Sequence, residues 1–269
     1  MAYLHITQAW DLSVHSNIFS DNNGALDLFE QSFNVVPVMK PEDMEDVYKL
    51  RYQVYCIERN FEDPAHFKAQ QEIDPFDKRS VYTLLQDKKS GEYIGTARLV
   101  LADRNNIHTP GYKHFPVQTM ASEDFLSDDY FDLAKTAEIS RICFSQYKAQ
   151  NLGLNSEQKR LILPGLLRGI YLLRDLHDID NFTALLEDRL IKRAEQLGFS
   201  PHEVGSPVSH KGTRYPAHYD CYQTMENIKH QNKTIWDIVT AKGRYCPNGV
   251  PMTVEDMTPQ WGVNGEAHA

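Results

Sequence analysis

The sequence predicts a single three-layer α/β domain, in which helices cover both faces of a mixed central sheet. A polar turn signal at 87–92 joins two apolar strands at 81–86 and 94–101, which is typical of a β-hairpin. From residue 136 onward, segments with strand and helix periodicity alternate. A chain of 269 residues, 41% of them hydrophobic, is long enough to build the core that such a domain needs.

In the first half of the chain, the pattern predicts an edge strand and a helix before the hairpin. Residues 35–38 form a short apolar run that contains Pro37, which is tolerated at a sheet edge. Pro41 and the acidic residues after it open a helix over 41–57, whose apolar residues recur at helical spacing. The polar segment 58–80 is expected to be a loop.

In the second half, a long polar connection over 103–134 leads into an apolar strand that carries two charges. A later helix is expected to end at Gly198, because glycine is favoured just after a helix. The elements predicted here are a strand at 136–144, a helix at 158–177, a strand at 181–185, a helix at 189–196 and strands at 199–204 and 219–225.

The composition divides the chain into three parts. Residues 1–33 are polar and predict an N-terminal arm or helix that leads into the domain. The main folded domain is predicted over 34–230. Residues 231–269 form a C-terminal extension, which is rich in proline, glycine and asparagine near its end and is expected to be partly disordered.

Charge and cysteine content exclude several classes of function. With 28 basic and 37 acidic residues the net charge is −9, and without a long basic run no nucleic-acid binder is indicated. Four cysteines without close spacing predict neither a disulfide framework nor a zinc site, so no metal is expected. No apolar run approaches the roughly 20 residues that span a bilayer, and the N-terminus lacks a signal-peptide layout. We therefore expect a cytoplasmic protein without an integral membrane segment.

The segment 137–145 is the most informative part of the chain, because an apolar strand there carries Glu138 and Arg141. Burying either charge without a partner costs several kcal/mol, so the strand predicts charged partners elsewhere. On the residues alone, such a cluster is as consistent with a structural ion network as with a functional site. The partners expected from other elements are Arg51, Glu72, Asp74, Asp77 and Arg98.

The spacing of Glu138 and Arg141 also predicts an irregular strand. Side chains alternate along a regular strand, so residues three apart face opposite sides of the sheet. A β-bulge, which adds one residue to one strand of a pair, would bring both side chains to the same face. We therefore predict a bulge between them.

Four charged blocks resemble the acyl-homoserine-lactone synthase pattern, a LuxI-type, autoinducer synthase-like branch of the GNAT acyltransferase fold. The later segments 190–199 and 212–216 are more similar to a sister branch, the N-acyl amino acid synthases and exosortase-associated acyltransferases. The resemblance covers residues from about 33 to 228 and implies a GNAT-like acyltransferase domain. The four blocks are Arg51-Tyr52-Gln53-Val54-Tyr55, Glu72-Ile73-Asp74-Pro75-Phe76-Asp77, Gly95-Thr96-Ala97-Arg98-Leu99 and Glu138-Ile139-Ser140-Arg141.

The resemblance implies transfer of a fatty acyl chain from acyl carrier protein to the α-amine of an amino acid or a similar small amine. Glu138 would take the proton of the attacking amine, directly or through one water. Attack on the thioester would be direct, without an acyl-enzyme, and no tightly bound cofactor is implied. The phosphopantetheine arm of the donor would lie along Arg141, Ile142, Cys143 and Phe144. The acceptor pocket would be shaped by Arg51, Asp74, Asp77, Arg98 and Arg141, one of whose guanidinium groups would bind the acceptor's carboxylate.

The loop after the charged strand bears on the identity of the donor. Residues 145–154 contain one glycine, Gly153, where an ordinary GNAT domain has a glycine-rich pyrophosphate loop. Fewer available backbone amides bind a diphosphate less well, which disfavours coenzyme A and favours acyl carrier protein. The resemblance also implies a tunnel for the acyl chain. Because the carrier is acidic, basic residues are expected near the mouth of that tunnel, and the candidates are Lys148, Lys159, Arg160 and Arg168.

Two other functions stay open on the sequence. A true acyl-homoserine-lactone synthase would use S-adenosylmethionine, but that family commonly has a tryptophan where this chain has Phe61. A degenerate GNAT domain would bind a carrier or a lipid without turnover. Cys143 in an apolar strand is more typical of core packing than of a nucleophile. His210, Arg214 and Tyr215 are candidates for the pocket lining, because they lie between late strands.

Overall fold

Residues 22–122, 125, 132–210 and 212–246 are described by the structure, which is a computed structural model. Its centre is a sheet of eight strands, seven of which follow the order β1-β2-β3-β4-β5-β8-β6, while β7 pairs with β8. The strands are β1 Phe33–Pro37, β2 Ser80–Asp87, β3 Tyr93–Leu101, β4 Thr136–Phe144, β5 Asn181–Leu186, β6 Glu203–Val204, β7 Val208–Ser209 and β8 Thr213–Asp220.

The sheet is mixed, because β4 and β5 run parallel whereas the other paired strands are antiparallel. A parallel pair needs a crossover, and the longest helix of the described chain supplies it. The helices are α1 Asn22–Ser32, α2 Asp43–Tyr52, α3 Gln146–Asn151, α4 Ser156–Leu176, α5 Asp188–Gln196, α6 Cys221–Gln231 and α7 Lys233–Val239.

The two faces of the sheet carry different layers. Leu85 belongs to the main core, together with buried residues of α1, α4, α6 and α7. Leu84, its neighbour in β2, points to the opposite face and packs with Val47 and Leu50 of α2. Helices therefore cover both faces, and the predicted three-layer α/β class is confirmed.

Helix α4 is built to lie close to the sheet. Its start is fixed by a capping box, in which Oδ1 of Asn155 accepts a hydrogen bond from the backbone N–H of Gln158 and Oε1 of Gln158 accepts one from the backbone N–H of Asn155. Two glycines face its neighbours: an added Cβ at Gly165 would lie 2.7 Å from Cε2 of Phe29, and one at Gly169 would lie 2.1 Å from Oγ1 of Thr83. The glycines therefore allow the helix to approach α1 and β2.

The predicted strand at 219–225 is wrong. Strand β8 ends at Asp220, whose carboxylate accepts a hydrogen bond of 2.8 Å from the backbone N–H of Gln223 and caps α6. Buried Cys221, Met225 and Ile228 recur at helical spacing along α6, so a period of 3.6 was mistaken for a strand. In the predicted strand at 199–204, the residues that pair with β8 are Glu203 and Val204.

The predicted domain limits at 34 and 230 stay predictions. Helices on the outer side of both limits contribute to the main core, since Phe29 of α1 and Ile238 of α7 are fully buried. Partial disorder is expected for the C-terminal extension at 231–269, and residues 247–269 of it lie outside the described residues. Among the residues that are described, no helix has both the length and the apolar composition that crossing a bilayer requires.

We expect Gly169→Ala to destabilise the fold by about 1–3 kcal/mol, because the new methyl group would overlap the hydroxyl of Thr83. Helix propensity alone predicts the opposite sign, a gain of up to about 1 kcal/mol. Urea unfolding of the two single variants and of the double variant Thr83→Ala/Gly169→Ala forms the cycle that isolates this contact. An unchanged penalty in the Thr83→Ala background would contradict the close approach.

Candidate active site

A β-bulge in β4 sets the geometry of the site. Arg141 and Ile142 together oppose Ala97 of β3, so β4 contains one extra residue at this point. Arg141 has φ 49°, a left-handed conformation that costs a residue with a Cβ roughly 1–2 kcal/mol. Because of the extra residue, Arg141 reaches Asp74, the carboxylate that Arg98 of β3 also binds. The bulge predicted between the two charges of β4 is therefore present.

The carboxylates that receive these arginines are held by a capping box. Asp74 begins the short 3-10 helix Pro75–Arg79, and its Oδ1 accepts a hydrogen bond of 2.8 Å from the backbone N–H of Phe76. Oδ2 of Asp77 accepts one of 2.8 Å from the backbone N–H of Asp74. Each carboxylate thus uses one oxygen to fix the backbone and directs the other toward the arginines. The spacing of Asp74 and Asp77 in the sequence follows from this motif.

Arg51 lies at the centre of the charged cluster and is fully buried. Its Nε donates to Oε2 of Glu72 at 2.5 Å, and its Nη1 donates to Oδ1 of Asp77 at 2.8 Å. The same Asp77 oxygen accepts from Nη1 of Arg98 at 2.6 Å and from the hydroxyl of Tyr82. The second oxygen of Glu72 accepts from Nε and Nη2 of Arg141, at 3.3 and 3.1 Å. We call Arg51, Arg98, Arg141, Glu72, Asp74 and Asp77 the arginine–carboxylate network.

Opposite charges balance within this network, and burial makes the pairing necessary. Burial alone would raise the pKa of Glu72, but the guanidinium groups of Arg141 and Arg51 lower it overall. Burial would also raise the pKa of Asp77, but attraction to guanidinium groups, mainly that of Arg51, lowers it overall. Both carboxyl groups are therefore ionised at neutral pH, as a buried network of three guanidinium groups and three carboxylates requires.

Glu138 lies in a different environment from the other carboxylates. It is 2% exposed, and its Oε2 accepts a hydrogen bond of 2.7 Å from the backbone N–H of Val117. Val117 and Val100, the residue opposite Glu138 in β3, belong to a separate apolar cluster with Phe115, Phe125 and Leu133. Burial raises the pKa of Glu138 to about 8, so the carboxyl group is mostly protonated at neutral pH.

A cavity of about 360 Å³ lies where β4 and β5 separate. The two strands pair from Thr136 to Glu138 of β4, and beyond that point their described residues form no ladder with each other. The cavity is lined mainly by apolar side chains of α4, α5 and β5, with several polar groups among the remaining lining residues. Its apolar lining includes Leu163, Leu167, Ile170, Phe182, Ala184, Leu186, Leu190, Ala194 and Leu197.

The structure divides the residues predicted for the site into two groups. The four residues predicted along the donor arm line the cavity, namely Arg141, Ile142, Cys143 and Phe144. Five others are not among its lining residues, namely Arg51, Asp74, Asp77, Arg98 and Glu138. Ser140 connects the groups, because it lines the cavity and its hydroxyl accepts a hydrogen bond of 3.0 Å from Nε of Arg98. Ser140 lies two residues from Glu138 and therefore on the same face of β4.

Other lining residues were predicted in part. His210 and Arg214 line the cavity as expected, and Nη1 of Arg214 lies 2.6 Å from Oε1 of Glu187, whereas Tyr215 is not among the lining residues. Burial raises the pKa of Cys143 to about 12, which disfavours the thiolate form that a nucleophile needs. Sequence reasoning missed Ser140, Tyr55 and Arg59 as lining residues. Tyr55 and Ser140 belong to the four charged blocks, but their side chains are uncharged and therefore did not mark them as site residues.

The segment after β4 was predicted as a loop and contains the short helix α3. Ser145 caps this helix by accepting a hydrogen bond of 3.0 Å from the backbone N–H of Lys148. Glu58 lies against the same end: its Oε1 accepts from the hydroxyl of Ser145 at 2.5 Å, and its Oε2 accepts from the backbone N–H of Gln146 at 2.9 Å. The carboxylate of Glu58 therefore occupies the N-terminal end of α3, directly after β4.

The four basic residues expected near the tunnel mouth have different surroundings. Lys148 pairs with Glu92 at 3.0 Å, whereas Lys159 and Arg160 are exposed at the start of α4. Arg168 is buried, and its Nη1 lies 2.6 Å from Oε1 of Glu30 in α1. The expectation that Arg168 is available to a carrier is therefore wrong, because the side chain holds α1 on α4.

Comparison with known proteins identifies the class. Residues 50–152 match the family described as acetyltransferase (GNAT) domain, and these residues include the C-terminal end of α2, the network and the bulged strand. This part of the chain therefore matches a GNAT acetyltransferase domain, which indicates an acyltransferase. No curated protein matches the sequence.

Several solved structures are similar to this chain. A structure of TofI, in a ternary complex with an inhibitor and MTA, is 20% identical, has a TM-score of 0.50 and covers 74% of this chain and 96% of its own. MesI, a CoA-dependent acyl-homoserine lactone synthase, is 20% identical, with a TM-score of 0.51 and coverage of 73% and 94%. FeeM, an N-acyl amino acid synthase from uncultured soil microbes, is 12% identical, with a TM-score of 0.49 and coverage of 74% and 97%. At these identities, the likeness to TofI and MesI is one of fold.

We expect Arg51→Met to lower the free energy of unfolding by about 3–5 kcal/mol, because it leaves the buried Glu72 and Asp77 without their shared cation. Lys49→Met is the matched control: it removes an exposed cation two residues away, which pairs with Glu45 on the surface of α2. Urea unfolding at neutral pH measures both. A loss for Arg51→Met no larger than that of the control would contradict the network's structural role.

We expect Glu138→Gln to become increasingly stabilising, relative to the wild type, as the pH rises. The pKa of Glu138 is about 8 in the folded protein and near 4.3 in an unfolded chain, so the stability that its protonated form contributes is complete below the unfolded pKa. That contribution is lost as the pH rises toward 8, by roughly 1.4 kcal/mol per pH unit, whereas the amide stays neutral. Urea unfolding between pH 4 and pH 9 measures the difference.

Glu157→Gln makes the same chemical change at an exposed position in the first turn of α4 and serves as the control for this experiment. A difference between Glu138→Gln and wild type that stays constant across the range would mean that Glu138 keeps an ordinary pKa in the folded protein.

Proposed function

We propose that this protein transfers a fatty acyl chain from the phosphopantetheine thioester of acyl carrier protein to the α-amine of an amino acid or a similar small amine. The observation that carries the proposal is the apolar cavity between β4 and β5, which has the charged residue Arg141 in its wall. An apolar cavity suits a hydrocarbon chain, and a cation in its wall suits an acceptor that carries a carboxylate.

The contacts after the end of β4 support the choice of acyl carrier protein as the donor. A diphosphate bound after β4 would need the backbone amides of α3, but Glu58 already accepts a hydrogen bond from the N–H of Gln146. Coenzyme A would have to displace a carboxylate and bring two phosphates close to its charge, which is unfavourable. Acyl carrier protein presents its phosphopantetheine without a free nucleotide, so this obstacle does not apply to it. Because MesI is CoA-dependent, coenzyme A thioesters are the comparison donor in any assay.

Arg141 is the arginine of the network best placed to bind the acceptor. Arg51 and Arg98 have side chains 0% and 1% exposed and bind carboxylates of the chain, whereas the side chain of Arg141 is 28% exposed and lines the cavity. A bidentate pair between its guanidinium group and an acceptor carboxylate would hold the α-amine near the thioester. Arg51, Arg98, Asp74 and Asp77 would then act as positioning residues for Arg141, on the side of the network away from the cavity.

Glu138 is the proposed base, and it would act through an intermediary. The attacking nitrogen adds to the thioester carbonyl, the carbon–sulfur bond breaks, and the amine loses one proton as the amide forms. Glu138 does not line the cavity, so that proton would pass through a water or the hydroxyl of Ser140. A pKa of about 8 suits this role, because it is close to the working pH and makes the carboxylate form a stronger base than an ordinary carboxylate. Attack is direct, in line with the raised pKa of the Cys143 thiol.

We expect cells that overexpress the wild-type chain to accumulate N-acyl amino acids, and cells that express Glu138→Gln to accumulate at least a hundredfold less. Mass spectrometry of lipid extracts measures both and identifies the acceptor and the chain length together. Asp188→Asn, which changes an exposed carboxylate at the start of α5, is the control and is expected to match the wild type.

The other outcomes of this experiment also have definite meanings. Acyl-homoserine lactones in place of N-acyl amino acids would assign the protein to the lactone-forming reaction with S-adenosylmethionine. Neither product from folded, well-expressed protein would contradict the proposal and favour a binding role without turnover. Equal product from Glu138→Gln and wild type would remove Glu138 from the role of base.

A further inference from the structure

Tyr55 stands between the arginine–carboxylate network and the cavity. It lies in the π-helical turn Gln53–Glu58 that follows α2, four residues after Arg51. Turns of this kind are frequent at functional sites, because they change the direction in which side chains point. Tyr55 lines the cavity together with both residues of the β4 bulge, Arg141 and Ile142.

The backbone and the ring of Tyr55 are firmly held. Its carbonyl oxygen accepts hydrogen bonds from the backbone N–H groups of Phe61 at 2.7 Å and Glu62 at 3.2 Å. Its ring stacks on that of Phe61 with centroids 6.5 Å apart, and the guanidinium carbon of Arg141 lies 5.4 Å from the ring centroid. The position of the phenol is therefore fixed before any substrate enters.

The hydroxyl of Tyr55, by contrast, makes a weak contact. It donates to the carbonyl oxygen of Ile142 at 3.4 Å, which is at the long limit for a hydrogen bond between oxygens. Burial raises the pKa of Tyr55 well above its ordinary value, so the group remains an O–H donor at any working pH. The other partner of this hydroxyl is the thiol of Cys143, which is a weak acceptor, so the hydroxyl can exchange both contacts for a better acceptor that enters the cavity.

We propose that the hydroxyl of Tyr55 donates a hydrogen bond to the thioester carbonyl oxygen of the donor and stabilises the negative charge that develops on it. This assignment rests on the function proposed above and adds a catalytic residue to it. When the amine nitrogen adds to the carbonyl carbon, the π electrons of the C=O bond move to oxygen. They return when the carbon–sulfur bond breaks and the thiolate leaves. Tyr55 keeps its proton throughout, because a phenol with a raised pKa is a poor acid but a sound hydrogen-bond donor.

Tyr55→Phe is the test, since it removes the oxygen and retains the ring that contacts Phe61 and Arg141. With decanoyl-acyl carrier protein and a mixture of the proteinogenic amino acids, we expect kcat to fall about a hundredfold while KM for the donor changes little. Tyr52→Phe is the matched control, because Tyr52 lies in α2, packs edge-on against Phe67 and is not among the cavity-lining residues.

A spectroscopic measurement separates catalysis from structure. Decanoyl-pantetheine with an isotope-labelled carbonyl, bound without any acceptor, is expected to show a lower C=O stretching frequency in the wild type than in Tyr55→Phe. A residue that only supports the fold would leave this frequency unchanged. The free energy of unfolding of both tyrosine variants, measured with urea, shows whether a loss of kcat reflects a loss of folded protein.

The outcomes distinguish this inference from the function on which it rests. Without transfer by the wild type, the proposed function fails and the role of Tyr55 fails with it. If the wild type transfers and Tyr55→Phe has the same kcat and the same carbonyl frequency, the role of Tyr55 alone is overturned. A lower kcat with an unshifted frequency and lower stability would also overturn it, because a structural role would then explain the loss.

Discussion

The buried arginine–carboxylate network is the interaction on which the site depends. Through it, α2, the segment around Asp74 and Asp77, and strands β3 and β4 are joined at a single buried point. Buried charges tolerate little displacement, because a broken pair leaves an uncompensated charge in a medium of low dielectric constant. The network therefore fixes the direction of Arg141, and it offsets the cost of that residue's left-handed backbone. The bulge in turn sets the wall of the cavity between β4 and β5.

The carboxyl groups near this point divide into two electrostatic types. Glu72 and Asp77 are ionised because guanidinium groups outweigh the effect of burial. Glu138 lies in β4, the strand that also carries Arg141, but it is surrounded by an apolar cluster. Burial is there the dominant effect on its pKa. One polar region thus contains a permanently charged scaffold and one carboxyl group that can change its charge near neutral pH. Within the apolar cluster the backbone N–H of Val117 binds Glu138, so the difference between the two environments is a property of the fold rather than of any single residue.

Much of the fold was predictable because it depends on short-range pattern. The charged strand has the predicted bounds, 136–144, since its apolar residues and flanking polar segments are local signals. The bulge followed from the spacing of Glu138 and Arg141 and the cost of burying charge. The segment after Tyr219 was misread because Cys221 and Met225 fit an apolar strand as well as a helix, and the capping role of Asp220 was not recognised.

The sequence by itself determined the fold class, the charged strand with its irregularity and, apart from Glu138, the residues of the charged cluster, because periodicity and the cost of buried charge act locally. Only the tertiary structure decided how those residues are used. It separates Glu138 from the cavity, brings Glu58 to the start of α3 and commits Arg168 to Glu30. Each of these depends on contacts between residues far apart in the chain, and no local pattern specifies which distant partner a charged side chain meets when the elements pack.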